Sequence, residues 1–274
     1  MVRVSCFGPT GPYRERPGFG SIAESMGGLP QLTGYPDQPP VRTGISIGDS
    51  IAALYSTIGA LSALREVETG SGQGPVVDVA LTEAVFSLLE STLPQFDIFG
   101  VIRERSGAML PGIAFSNTYR CADGAYLVIA GNGDSIFRRL MNVVGRPDMA
   151  EDPGLRTNAD RVKRDGEIDA VLAGWAARHG VEEALASLEA SKVPASKIYD
   201  IAADPQFLDR GMVRKFPLGG RLVKVPGIVP RLSATPAEID WLGPGLGEHN
   251  GKVFAGMLGI SEEELLELSR AGVI

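Results

Sequence analysis

Between residues 51 and 64 the apolar side chains fall at Ile51, Leu54, Ile58, Leu61 and Leu64. Steps of three and four predict a helix with one face packed against a core. Asp49 or Ser50, directly after Gly48, stands where an N-cap belongs. Glycines at 70, 72 and 74, followed by Pro75, predict a turn. Residues 76–81 are a short β-branched run that reads as a buried strand, and residues 82–93 read as a second helix. The unit is helix, glycine turn, strand, helix, with one carboxylate at its mouth.

The same reading extends to both ends of the chain. Residues 2–7 alternate like the end of a strand and break at Gly8-Pro9-Thr10-Gly11-Pro12. A helix is predicted over 21–27, closed by Gly27-Gly28, and a loop over 33–40. Polarity rises over 96–109 through Asp97, Arg103, Glu104 and Arg105, which predicts a linker. A strand and tight turn over 117–124 then pair with a strand over 125–130. A second Gly-Asp-Ser, with Asp134 as its cap, opens a helix over 136–144. A polar helix near Ala159 follows, then amphipathic helices over 168–179 and 181–191 broken at Gly180. Trp175 and Leu172 read as core, and His179 as a helix C-terminal residue without a catalytic role. A short strand over 193–198 exits through Tyr199-Asp200, and a helix starts at Asp204-Pro205. The segment 218–229 is expected to return toward the first domain, and His249 reads as a packing or capping residue. The expected domains are 1–105, 106–200 and 201–274.

Bulk properties narrow the function classes. The 274 residues are 44% hydrophobic and 22% charged, an ordinary globular balance. A net charge of −7 argues against nucleic acid or an anionic membrane as the main partner, yet leaves room for local basic contacts to a phosphorylated ligand. Cys6 and Cys121 are far apart and fit reduced cytoplasmic thiols. No run is read as reaching transmembrane length, the first residues lack a signal peptide's apolar middle, and no metal-ligand motif is present. Gly18-Phe19-Gly20 with Ala23 nominally fits a dinucleotide fingerprint, but Glu15-Arg16-Pro17 stands where its strand would be.

Asp49 therefore has two readings on composition alone. As a cap it accepts first-turn amides and does nothing else. As a nucleophile it is held ionised by the helix N-terminus and attacks an activated carbonyl.

Gly48-Asp49-Ser50, the turn from Thr69 to Gln73, the Val77-Asp78-Val79 strand and the Gly247-Glu248-His249 segment resemble the family III CoA-transferases, the carnitine-CoA and formyl-CoA transferase group. The resemblance implies an α/β fold: the remainder of a Rossmann-like large domain plus a smaller α+β domain, in an intertwined homodimer. It implies Asp49 as the catalytic residue, alternating between acyl anhydride and CoA thioester while the CoA passes to an acceptor carboxylic acid. Arg14, Arg16 and Gly48 are the expected contacts for coenzyme A. Acyl-CoA enters as substrate, with no permanent cofactor and no metal. The subtype of the segment from Asn132 to Phe137 suggests dicarboxylic acyl groups such as succinyl, and Gly107 to Gly112 is the nearest match to the family's closing loop. Ser5 to Pro12 resembles a segment that lies well inside these enzymes. A fragment, a truncated frame or part of a split protein is therefore expected. A non-catalytic or dimerising remnant is one alternative. An α-methylacyl-CoA racemase is another, ranked lower because Phe19 stands where that enzyme's histidine would be.

Overall fold

The computed structural model describes residues 1–70, 72–89, 91–198 and 201–274. The chain divides into two units, Met1–Ile198 and Tyr199–Ile274. In the first, the elements run β1 (Val2–Ser5), α1 (Gly20–Met26), α2 (Leu29–Leu32), α3 (Ile47–Thr69), β2 (Val77–Ala80), α4 (Leu81–Phe86) and α5 (Thr92–Phe99). β1 and β2 are parallel, with Val4 opposite Val79 and Ser5 opposite Ala80. Parallel neighbours need a crossover, and α3 supplies it. Ala23, Ile51, Ala52, Val79, Leu81 and Ala84 form the local core. Small residues at 23 and 52 let α1, α3 and β2 approach closely.

Five sequence expectations change here. α3 begins at Ile47 with Ser46 as its N-cap, so neither Asp49 nor Ser50 is the cap. It also runs on to Thr69, through residues read as turn. Of the apolar stripe only Ile51 is buried; Leu54, Ile58, Leu61 and Leu64 are 58–65% exposed. Periodicity reports that a face favours burial, not which surface buries it. With 23 residues and a mean hydropathy of 1.3, α3 is long and apolar enough to cross a membrane. That corrects the reading that no run reaches that length. Its first turn is packed into protein instead, with Gly48, Ile51 and Ala52 buried. The helix expected over 82–93 is divided between α4, a 3-10 turn Ser87–Leu89 and α5, and Glu90 lies outside the described residues. So does Ser71 of the glycine turn.

The rest of the first unit surrounds a larger core. β3 (Ser116–Arg120), β4 (Tyr126–Ala130) and β5 (Ala195–Ile198) make an antiparallel sheet in that order. With it go α6 (Asp134–Val143), α7 (Pro147–Ala150), α8 (Asn158–Val162), α9 (Asp165–Ala176) and α10 (Val181–Ala190). Leu127, Ile129, Leu140, Met141, Leu172 and Leu188 are fully buried at its centre, beside Trp175 as expected. Arg161 is also fully buried. Its guanidinium donates to the carbonyls of Ala114, Leu155, Arg156 and Asn132 and to Asp134 Oδ1, the last at 2.8 Å. Asp134 is therefore not the expected cap, because its carboxylate is engaged by Arg161.

In the second unit, Asp204 caps α11 (Pro205–Asp209) by accepting the Gln206 and Phe207 amides. A hairpin of β6 (Val213–Leu218) and β7 (Arg221–Pro226) turns at Gly219-Gly220, both with positive φ. Ser261 caps α12 (Glu262–Arg270). His249 packs edge-on to Trp241, with ring centroids 5.9 Å apart. The expected exit at Tyr199-Asp200 lies outside the described residues.

Candidate active site

β1 ends at Ser5, and the next residue, Cys6, faces the first turn of α3. In open parallel sheets ligands bind beyond the carboxyl ends of strands, where helix N-termini also point. Asp49 occupies that place. It is the third residue of α3 and is exposed. Its carboxylate takes part in no hydrogen bond or ion pair among the described residues.

Two close approaches define its surroundings. A Cβ on Gly20 would lie 2.1 Å from Asp49 Oδ2, so a side chain there would push the carboxylate out of its place. A Cβ on Gly18 would lie 2.3 Å from Cys6 Sγ. The two glycines of the nominal fingerprint thus serve close packing around Cys6 and Asp49. Burial, and then the charge of Asp49, push the Cys6 thiol up from its ordinary range.

The amides of α3 that Asp49 would otherwise cap are satisfied by Glu24 of α1. This carboxylate is 1% exposed. It accepts the Gly48 N–H at 3.3 Å and is paired with Arg42, whose Nε lies 3.1 Å from Oε2. Burial opposes its ionisation, but hydrogen bonds from Arg42, Gly48 and Ile47 prevail and hold its carboxyl below the usual range. The Gly48 N–H is therefore committed to Glu24.

Arg16 stacks over the Tyr13 ring at 3.8 Å, and Arg14 pairs with Glu15 at 3.2 Å in an exposed setting. Tyr13 meets Phe7 edge-on at 6.0 Å, and Phe7 borders Gly18. A chain of contacts so links Arg16 to the glycines beside Asp49. Of the Gly107 to Gly112 stretch, Met109 to Gly112 line a cavity of about 190 Å³ with Ile113, Phe115 and Asp165. Among the described residues no three His, Cys, Asp or Glu side chains cluster closely enough to hold a metal ion.

Sequence reasoning did not find Glu24 or Gly20 as site residues. A glutamate in a seven-residue helix reads as surface, and only the approach of α1 to α3 reveals it as buried. A glycine pair flanking Phe19 does carry a signal, since repeated glycine marks close backbone approach.

An exposed carboxylate at a helix N-terminus, beyond the carboxyl ends of parallel strands, stands where open α/β folds bind their ligands. The sequence profile of CoA-transferase family III matches residues 1–250. The chain belongs to that family. The succinyl-CoA–D-citramalate CoA-transferase of Chloroflexus aurantiacus is 45% identical over 280 residues, which cover 100% of this chain and 69% of that protein. The succinyl-CoA–L-malate CoA-transferase alpha subunit from the same organism is 36% identical, covering 100% of this chain and 65% of that one. The chain thus spans about two thirds of the length of these relatives. A CaiB/BaiF family protein from Brucella suis superposes with a TM-score of 0.76 at 32% identity, covering 93% of this chain and 67% of that one. Rv3272 of Mycobacterium tuberculosis, at 22% identity and a TM-score of 0.78 over 91% of this chain and 67% of that one, shares the fold.

Proposed function

We propose that this chain carries the acyl-transfer carboxylate of a cytoplasmic CoA-transferase that works as a homodimer, and that Asp49 is that carboxylate. An Asp49 oxygen attacks the thioester carbon of a donor acyl-CoA, and CoA leaves as thiolate to give a mixed anhydride. The thiolate then attacks the Asp49 acyl carbon, releasing the donor carboxylate and leaving an aspartyl-CoA thioester. The acceptor carboxylate attacks that thioester, freeing the thiolate once more. The thiolate finally attacks the acceptor's acyl carbon, so that acceptor-CoA departs and the Asp49 carboxylate is regenerated. The aspartyl-CoA thioester lies close in energy to the substrate thioester, and the anhydrides are transient, high-energy acyl donors that thiolate opens in either direction.

The observation that carries this reading is the freedom of Asp49: an exposed carboxylate in the first turn of α3, relieved of capping by Glu24. The 45% identical relative, named for succinyl-CoA and D-citramalate, favours a short dicarboxylic donor and acceptor. Arg14 and Arg16 are the proposed phosphate contacts, residues 1–105 the portion bearing the nucleophile and 106–200 the small domain. The exposed face of α3 is in keeping with burial against another protein surface in the dimer.

Incubation with succinyl-CoA followed by borohydride is expected to convert Asp49 to homoserine, read by peptide mass. Transfer of CoA to a dicarboxylate is followed in parallel. Label on a different residue, or undiminished transfer in Asp49→Ala, would overturn the assignment.

A further inference from the structure

A carboxylate at the third position of a helix ordinarily turns back toward the unpaired amides of its own first turn. Asp49 holds that position in α3, yet its carboxylate is left out of the cap. The first-turn amide is accepted from another helix. Glu24 Oε1 accepts the Gly48 N–H at 3.3 Å, and Arg42 secures the same carboxylate through Nε at 3.1 Å and Nη2 at 3.4 Å.

This is an unusual way to satisfy a helix end. Glu24 loses its water on burial, while the Arg42 side chain paired with it stays 52% exposed, so the pair gives little net stability over an apolar packing. Ser46, at the N-cap, carries a hydroxyl suited to the task but makes no side-chain cap. The buried carboxylate has a consequence that a local cap lacks. It fixes α1 against α3 at the carboxylate: a Cβ on Gly48 would lie 3.3 Å from Glu24 Cγ and 3.2 Å from Val85 Cγ2. It also takes the Gly48 amide that a first-turn carboxylate could otherwise accept, and so leaves the Asp49 oxygens free to reach outward. Cys6, just beyond β1, is an ionisable neighbour whose thiol is pushed up by burial and then by the charge of Asp49, and so stays neutral beside it.

We propose that Glu24, secured by Arg42, is a positioning residue for acyl transfer: it caps α3 from the neighbouring helix and so keeps the Asp49 carboxylate free and aimed at the thioester. The inference rests on Asp49 being the nucleophile.

The test compares wild type, Glu24→Ala, Glu24→Gln, Arg42→Met and Asp49→Asn in single-turnover acylation by succinyl-CoA, trapped with hydroxylamine. In Glu24→Ala the rate at saturating succinyl-CoA is expected to fall about 10- to 100-fold, while the half-saturating concentration changes by less than about threefold. Glu24→Gln keeps an acceptor for the Gly48 amide and is expected to recover to within about fivefold of wild type. The Gly48 amide resonance should move in Glu24→Ala and return toward its original position in Glu24→Gln. A wild-type acylation rate in folded Glu24→Ala, or a loss that only tracks the folded fraction, overturns the proposal. If Glu24→Ala does not fold, a wild-type rate in Arg42→Met does the same. Acylation that survives in Asp49→Asn removes the nucleophile and this inference together. An inert Asp49→Asn beside a normal Glu24→Ala removes the positioning role alone.

Discussion

Gly48-Asp49-Ser50 opens α3 and Gly133-Asp134-Ser135 opens α6. Each helix start lies beside one buried charge, Glu24 in the first case and Arg161 in the second. The buried cation draws the Asp134 carboxylate to itself at 2.8 Å and turns it into part of the scaffold. The buried anion takes the helix amides and leaves the Asp49 carboxylate to solvent. The same tripeptide thus gains opposite uses from the sign of its buried neighbour. A helix N-terminus favours a negative charge in both places, so the dipole alone does not separate a free carboxylate from a brace.

Exchanging each aspartate for asparagine breaks this comparison most directly. Asp49→Asn is expected to lower CoA transfer by at least about a thousandfold, since an amide oxygen cannot form the anhydride. Its thermal midpoint should stay near wild type, because no bond is lost. Asp134→Asn should reverse the pattern, with transfer within about twofold and a measurable fall in midpoint. Equal losses of transfer in both variants would dissolve the distinction.

Removing the buried cation is the next largest effect. Arg161→Met leaves four carbonyl oxygens and Asp134 without their shared donor. Stranding buried acceptors in this way costs about 3 kcal/mol or more, read as a fall in urea midpoint. Asp49 should remain competent for acylation in the fraction that stays folded.

Gly20→Ala sharpens the comparison from the other side. The added Cβ would meet Asp49 Oδ2 at 2.1 Å, so the carboxylate must swing away. A displacement of that size is expected to lower turnover by about 10- to 100-fold with little change in KM. The equivalent change at Gly133, where a Cβ would meet only the flexible end of Ile136 at 3.3 Å, should leave turnover near wild type.

These contrasts show where the sequence is informative. The hairpin of β3 and β4, and the α9 and α10 helices, were legible because their apolar residues are buried by partners close in the chain. The start of α3 was misplaced because its cap comes from Glu24, 24 residues earlier, and local capping rules see only adjacent residues. The stripe along α3 was legible as apolar but not as exposed. Asp49 itself stood out through motif resemblance, while Glu24 had no local signature. Asp134 reads as a cap because nothing near it in sequence announces Arg161, 27 residues on.

Asp123 offers the mildest test of the same idea, a helix capped from elsewhere in the chain. Its Oδ2 accepts the Val181 N–H of α10 at 2.8 Å, across 58 residues, and its Oδ1 accepts the Ala125 N–H at 3.1 Å. The Val181 bond, then the Ala125 bond, hold its carboxyl below the ordinary range. A folded value below the unfolded one gives stability that is fully present above the unfolded value. That stability is lost as pH falls through the folded value. Wild type should therefore exceed Asp123→Ala in urea midpoint at neutral pH, and the gap should narrow steadily on acidification. Asp148, Asp152 and Asp160 are also held low, so both proteins weaken in acid and only their difference reports on Asp123. A gap that stays constant with pH would mean that the cap works through shape rather than charge. The contrast with Glu24 would then rest on burial alone.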